Sequence, residues 1–219
     1  MLKKRILSSV LALGIMGWLI SCGNQPDEES VNPSAAQTSD GETFGQILGG
    51  STRSPVKIEV FSDFQCGSCR EFFLNTILPV LRDYSSKDKV CVVYYEYPLN
   101  GHPYARQAAR YIIAASRLGN KKMPALFEAI FTDQAQWARD GNLEASVSKV
   151  LSAEDFQRVR QAVQDAGVET LLEKEIRVGT LKNISSTPTI FISYSGKQDT
   201  TDGAVSYPVM KQLLDSILK

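Results

Sequence analysis

The sequence predicts an α/β fold in which a β-α-β half and a β-β-α half flank a block of helices. Two runs of apolar and β-branched residues, 56–61 and 90–97, have the composition of buried strands and enclose a helical pattern. The pattern is helical from residue 103 to about 182, and strand-like residues return at 188–194. Because a helix joins the first two strands, we expect them to be parallel.

The β-α-β half is bounded by residues that interrupt regular structure. Pro55 precedes the first strand, and Pro98 follows the second. Apolar residues recur on one broad helical face from Cys66 to about Tyr84, and Pro79 within this stretch predicts a kink. A helix therefore begins at a cysteine directly after the first strand.

Four helices are predicted in the central block. The first follows His102 and Pro103, which form a start signal, and the third follows Ser152, which matches a capping pattern with Asp155. The apolar positions that mark the four helices are Ala105, Ala108, Ala109 and Ile112, then Leu126, Ile130 and Phe131, then Phe156, Val159 and Val163, and finally the run 171–181.

The β-β-α half closes the chain. A strand is predicted at 188–194, and a Ser195-Gly196 turn leads to a short strand near 200–205. The last helix is marked by apolar residues at helical spacing, Met210, Leu213, Leu214 and Ile217.

Composition and charge limit the classes of function. The chain has 219 residues, of which 43% are hydrophobic, with 24 basic against 24 acidic side chains. These values exclude a disordered or collagen-like chain. Without a basic excess to neutralise phosphates, nucleic acid is not expected as a partner.

The N-terminus has the pattern of a signal peptide over residues 1–21. Basic residues at 3–5 precede the apolar run 6–20, which is too short to span about 30 Å of hydrocarbon as a helix. Residues 19–22 resemble the lipobox of bacterial lipoproteins, which implies lipidation of Cys22 and attachment to the membrane. The alternative is an uncleaved anchor. Both interpretations place the remaining chain outside the cytoplasm, in the cell envelope, where disulfides persist.

A polar tether separates this segment from the folded part. Residues 22–43 contain Val31 as their only sizeable apolar residue after Cys22, so they cannot bury enough surface to fold. Residues 44–219, beginning near Phe44, are long enough for one domain with its own core.

Cys66-Gly67-Ser68-Cys69 lies where the first strand meets its helix. Free amides and the helix dipole at that end stabilise a thiolate, so Cys66 is predicted to be the nucleophile. Cys69 lies one turn inside the helix, within disulfide reach, and would resolve a mixed disulfide.

Two alternatives for this pair remain. It could form an inert structural disulfide, although so small a loop constrains the unfolded chain little. It could bind a metal, but the sequence has no second Cys-X-X-Cys and His102 is its only histidine. We therefore expect no metal site and no cofactor. Cys91, within the second strand, is predicted to be a buried inert thiol.

A Thr187-Pro188-Thr189 step comes immediately before the third strand. Proline is tolerated at the first residue of a strand, and a cis bond there would make a tight bend. The residues themselves do not distinguish the cis isomer from the more frequent trans isomer.

These motifs together resemble the thioredoxin superfamily, and within it the DsbA-like thiol-disulfide oxidoreductases of the bacterial envelope. The resemblance covers most of residues 55–219, and it identifies the helical block as an insertion between the two halves of a thioredoxin fold. It implies that Pro188 is cis and lies against the cysteine pair. It also implies that an exposed Thr187 backbone pairs with extended substrate chains.

The chain departs from this family at two places. Many relatives carry a buried acid six residues before the first cysteine, where this chain has Val60, and the adjacent Glu59 is expected to point to the opposite face. Strongly oxidising relatives have Pro-His between the cysteines, whereas Gly67-Ser68 provides backbone amides and one hydroxyl.

Two further residues are accessory candidates. Asp63 is predicted to cap the helix that carries Cys66 or to act through its charge, with a simple turn residue as the alternative. His102 is predicted to begin the next helix, and the resemblance places its loop near the cysteine pair.

The sequence therefore predicts an envelope thiol-disulfide oxidoreductase that exchanges disulfides with unfolded or partly folded exported proteins. A dithiol oxidase, reset by a membrane or periplasmic redox partner, is the preferred form. A reductase or isomerase of the same fold is the first alternative. A copper metallochaperone that uses Cys66, Cys69 and His102, and a binding module with an inert disulfide, are the others.

Overall fold

The computed structural model describes residues 45–219. The predicted signal peptide, Cys22, the tether and Phe44 lie outside the described residues. The described chain contains a five-stranded sheet in the order β1-β3-β2-β4-β5. The strands are β1 (Gln46–Gly49), β2 (Val56–Ser62), β3 (Val90–Glu96), β4 (Thr189–Tyr194) and β5 (Lys197–Asp202).

The central pair confirms the predicted parallel crossover. β2 runs parallel to β3, with Val56 opposite Val90 and Ser62 opposite Glu96. β4 is antiparallel to β2 on the other side, and β5 is antiparallel to β4. β1, which pairs antiparallel with β3, was not predicted from the sequence.

The helix after β2 is interrupted where the sequence predicted a kink. It consists of α1 (Gly67–Phe72), a π-helical turn (Phe73–Ile77) and α2 (Leu78–Asp83). Pro79 has no N–H, and its ring would collide with the carbonyl four residues earlier in a regular helix. The residue whose carbonyl would collide with the Pro79 ring lies within the π-helical turn, and the wider spacing of that turn avoids the collision.

Six α-helices form the insertion between the two halves, with a 3-10 turn (Asn120–Lys122) between the first two. They are α3 (Ala105–Ser116), α4 (Met123–Thr132), α5 (Gln134–Trp137), α6 (Glu144–Val147), α7 (Ala153–Ala162) and α8 (Ala166–Leu181). The predicted cap of α7 is present, since Ser152 Oγ accepts a hydrogen bond of 3.2 Å from Asp155 N. α8 begins before the predicted 171, because Asp165 Oδ1 accepts from Gly167 N at 2.6 Å and caps its first turn.

The C-terminal half corrects one prediction. The strand expected at 200–205 is β5, Lys197–Asp202. The tight turn at Ser195 and Gly196, both with positive φ, lets Lys197 pair at once with Tyr194. The last helix is α9 (Tyr207–Ile217), as predicted.

The two faces of the sheet bury separate clusters of side chains. The front face packs against α1 and α4, and its side chains include Val56, Ile58, Val60, Val92 and Tyr94. The back face holds a smaller cluster, Phe61, Cys91, Val93, Tyr95 and Phe191, against which Leu171 and Val178 of α8 pack. The architecture is thus the predicted α/β fold with a helical insertion. No helix within residues 45–219 has the length and hydrophobicity needed to cross a membrane.

Candidate active site

The active-site loop places Cys66 at the N-terminus of α1. Cys66 is the N-cap residue, with extended φ and ψ of −76° and 123°, and its carbonyl accepts from Arg70 N at 3.1 Å. The first amides of a helix have no partner within that helix, so the Cys66 sulfur lies beside donors and the positive end of the helix dipole. Cys69 lies within the first turn, as predicted.

Polar groups surround the Cys66 sulfur. Its Sγ is 3.2 Å from Ser68 Oγ, and as a thiol it donates to the carbonyl oxygen of Thr187 at 3.4 Å. The pKa of Cys66 is lowered to about 4, chiefly because the Cys69 thiol donates to it, and the side chains of Ser68 and Thr187 add to that effect against the cost of burial. Cys66 is therefore a thiolate at neutral pH.

Cys69 has the opposite environment. It is fully buried, and burial followed by the neighbouring Cys66 raises its pKa well above the usual value. Cys69 is thus a thiol that donates a hydrogen bond to the Cys66 thiolate. This asymmetry matches a nucleophile and a resolving partner.

The Thr187-Pro188 peptide bond is cis, as the resemblance implied, and it lies directly against Cys66. Thr187 as a whole is 8% exposed, and its carbonyl oxygen faces the Cys66 sulfur.

Asp63 and His102 meet beside the active-site loop. His102 Nδ1 lies 2.7 Å from Asp63 Oδ2, which also accepts from Leu99 N at 2.8 Å. Asp63 Oδ1 accepts from Gln65 N at 2.7 Å. One prediction was that Asp63 caps α1, and this is wrong. Asp63 instead connects the loop after β2 to the loop after β3. Burial raises the pKa of Asp63, and the hydrogen bonds from Leu99 and His102 oppose that rise.

A comparison of the chain with protein-family models agrees with this site. The Thioredoxin family model matches residues 42–216. The chain belongs to the thioredoxin family. This confirms the predicted superfamily and its general chemistry, thiol-disulfide oxidoreduction. No curated protein matches the chain.

Solved structures share the thioredoxin fold with its helical insertion. The thiol-disulfide exchange protein alpha-DsbA2 from Wolbachia pipientis is 18% identical, with a TM-score of 0.65 over 78% of this chain and 86% of that one. Oxidised BdbD from Bacillus subtilis is 18% identical, with a TM-score of 0.65 over 80% and 92%. DsbA2 from Pseudomonas aeruginosa is 21% identical, with a TM-score of 0.61 over 80% and 96%.

This thioredoxin-family chain uses a residue of its insertion to support the active-site loop. The buried Gln134 Nε2 donates to the carbonyl of Phe64 at 2.7 Å and to the carbonyl of Cys66 at 2.9 Å. Sequence reasoning missed Gln134, which begins the short helix α5. The only available signal was a polar residue between apolar helical segments.

The position of the family's buried acid is occupied by Val60, which is fully buried on the front face. Glu59 points to the back face, as predicted. Its Oε2 lies 3.3 Å from Lys57 Nζ, and its Oε1 accepts a hydrogen bond of 3.3 Å from the Tyr95 hydroxyl. Glu59 is therefore separated from Cys69 by the sheet.

The copper hypothesis gains no support from the described residues. Within 45–219, no group of three or more His, Cys, Asp or Glu side chains is placed to hold a metal ion. His102 faces Asp63, with which it pairs at 2.7 Å.

Proposed function

We propose that the protein is a dithiol oxidase of the cell envelope, which transfers the Cys66–Cys69 disulfide to exported proteins. The observation that carries this proposal is the asymmetry of the pair. Cys66 is a stabilised thiolate with a pKa of about 4 at a helix N-terminus, and Cys69 is a buried thiol behind it. Gly67 and Ser68 form the dipeptide between them, and no cofactor enters the reaction.

The reaction follows from this geometry. A thiolate of the client attacks Cys66 Sγ of the oxidised pair, and Cys69 leaves and takes up a proton. A second client thiolate then attacks the client sulfur of the mixed disulfide, and Cys66 leaves as a thiolate. The client gains a disulfide, and the pair gains two electrons and becomes a dithiol. A membrane or periplasmic redox partner accepts those electrons and restores the disulfide.

The stabilised Cys66 thiolate favours the oxidase over the reductase or isomerase. Stabilising the reduced form of a dithiol makes its disulfide a stronger oxidant. A pKa of about 4 for Cys66 is close to the value of about 3.5 for DsbA and far from about 7 for thioredoxin. A thiolate of low pKa is also a good leaving group, which speeds release of the client.

Thr187 and Pro188 are proposed to bind the client next to Cys66, since the Thr187 carbonyl lies 3.4 Å from its sulfur. An extended chain that approaches Cys66 must pass this step, and backbone pairing there would accept unfolded clients of many sequences.

The proposed location is the outer side of a bacterial membrane. The sequence supports it through a signal peptide at 1–21 and a lipid anchor on Cys22. Residues 22–43 would then tether the domain 44–219 above the membrane.

Trapping of mixed disulfides tests the proposal. Cys69→Ala is expected to accumulate disulfides between Cys66 and client proteins in cells, because the resolving thiol is absent. Acid-quenched extracts separated without reductant would reveal them as bands that disappear on reduction. Cys91→Ala is the matched control, since Cys91 is buried on the back face, and it should trap nothing. Trapping by Cys66→Ala instead of Cys69→Ala would reverse the assigned roles, and trapping by neither would refute the exchange.

A further inference from the structure

Disulfide exchange at this site requires a place for the Cys69 proton. Cys69 is fully buried, so water cannot take the proton directly. Burial and the Cys66 thiolate both raise its pKa, which means that a thiolate at Cys69 is costly unless a nearby group receives the proton. The proton must return when the disulfide opens and Cys69 leaves.

The front face of the sheet places three polar groups beneath Cys69. In the parallel pairing of β2 and β3, Ser62 lies opposite Glu96, and Tyr94 lies two residues before Glu96. Residues two apart share a face of a strand, so Ser62 lies on the same face as Val60, and Glu96 on the same face as Tyr94; Cys69 packs against this face. All three are buried.

Their polar atoms are left without partners. Ser62 Oγ, the Tyr94 hydroxyl and Glu96 Oε1 make no hydrogen bond within the described part of the chain. Such atoms are rare in protein interiors, because a buried polar group that has lost its water and gained no partner destabilises the fold. Ser62 and Tyr94 interact with Cys69, and Tyr94 also interacts with Glu96, so the three groups indicate a path for the proton that the thiol must lose.

Ser62 connects the thiol to the rest of the group. Burial raises the pKa of both Cys69 and Tyr94, and the Ser62 hydroxyl opposes the rise in each case. Tyr94 in turn feels the charges of Cys69 and Glu96. The Ser62 and Tyr94 hydroxyls can each accept one proton while they donate another, so they can pass it along.

Glu96 is the group that can keep the proton. Burial raises its pKa well above the usual value, and the carboxyls of Glu175 on α8 and Asp63 in the active-site loop raise it further. Glu175 is itself buried and accepts from Glu96 N at 2.7 Å, while Asp63 pairs with His102. This environment brings Glu96 closer to the thiol in proton affinity, as a proton carrier requires.

We propose that Glu96 carries the proton of Cys69. The inference rests on the proposed disulfide exchange. When Cys69 attacks Cys66 in a mixed disulfide, its proton passes through the Ser62 and Tyr94 hydroxyls to the Glu96 carboxylate. The Cys66–Cys69 bond forms, and the client sulfur leaves as a thiolate. In the oxidase direction, the client thiolate attacks Cys66, and the Glu96 carboxylic acid returns the proton to the leaving Cys69.

The test isolates the step in which Cys69 resolves a mixed disulfide. Reduced full-length protein is mixed with excess glutathione disulfide, quenched with acid, and analysed by mass for the Cys66–glutathione adduct from about pH 5 to about pH 9. Glu96→Gln should resolve the adduct about tenfold more slowly near neutral pH. The deficit should shrink toward alkaline pH, where hydroxide removes the proton.

The control is Glu59→Gln, which changes a buried glutamate on the other face of the neighbouring strand and should keep the wild-type pH profile. Ser62→Ala interrupts the path without changing Glu96 and should reproduce the deficit. If Glu96→Gln does not fold, as judged by circular dichroism, Tyr94→Phe decides the question, because it interrupts the path and leaves in place the Ser62 hydroxyl that lowers the pKa of Cys69. Wild-type profiles in the folded variants would overturn the role of Glu96. Failure of the wild type to form either the adduct or the Cys66–Cys69 disulfide would instead overturn the exchange itself.

Discussion

The two faces of the sheet each bury a cysteine and a glutamate, but the surroundings of these side chains differ between the faces. On the back face, Glu59 lies 3.3 Å from Lys57 Nζ and accepts from the Tyr95 hydroxyl, and Cys91 is an isolated thiol. On the front face, Glu96 Oε1 makes no hydrogen bond within residues 45–219, and Cys69 is coupled to Cys66.

The difference shows that burial alone does not define the redox site. Burial raises the pKa of Cys91 as it does that of Cys69. Only Cys69 lies behind a thiolate at a helix N-terminus and above uncompensated polar groups. The back face follows the ordinary rule that a buried charge is paired, whereas the front face departs from it where a proton has to move.

The largest expected effect on stability concerns the buried acids. Burial raises the pKa of Glu175 to about 8 from 4.5, so the folded state binds its proton more tightly than the unfolded state does. The wild type therefore loses stability as pH rises from about 4.5 to about 8. Glu175→Gln removes that loss, so it should stabilise the protein by about 4 kcal/mol more at pH 8 than at pH 4. Urea unfolding at both pH values measures the difference.

The back-face variant should behave in the opposite way. Glu59→Gln removes the charge that pairs with Lys57, so we expect it to destabilise the protein by about 1 kcal/mol at pH 8. A gain of stability from Glu59→Gln, or a loss from Glu175→Gln that is equal at both pH values, would contradict the contrast between the faces.

A smaller effect is expected at Ser68. Its hydroxyl lies 3.2 Å from the Cys66 sulfur and lowers the pKa of Cys66 together with the Cys69 thiol. Ser68→Ala should raise the pKa of Cys66 by about half a unit, since one such hydrogen bond contributes about 1 kcal/mol. The ultraviolet absorbance of the thiolate, titrated in the reduced protein, measures this pKa. An unchanged midpoint would remove Ser68 from the account.

The sequence predicted the parts of the fold that depend on local pattern. Apolar runs located β2 and β3, and the Cys-X-X-Cys motif at the start of a helix located the nucleophile and its partner. β1 was missed because four residues, Gln46–Gly49, carry too little pattern. β5 was placed three residues late because the pattern does not show how tightly a turn closes.

The contacts that organise the site depend on tertiary structure. His102 meets Asp63, and Gln134 meets Cys66, across 39 and 68 residues of sequence. The polar residues Ser62, Tyr94 and Glu96 come together on the front face because the strand register sets Ser62 opposite Glu96. No local periodicity reports which strands pair or in which register, so the sequence identified no proton acceptor for Cys69.

The reduction potential of the Cys66–Cys69 pair distinguishes a dithiol oxidase from a reductase. The protein would be equilibrated in glutathione buffers, and the fraction of reduced pair read by alkylation and mass. Because the stabilised Cys66 thiolate favours the dithiol, we expect a midpoint nearer to about −120 mV, as in DsbA, than to about −270 mV, as in thioredoxin. A midpoint at the thioredoxin end would contradict the oxidase, and a pair that never equilibrates with glutathione while the protein stays folded would contradict disulfide exchange.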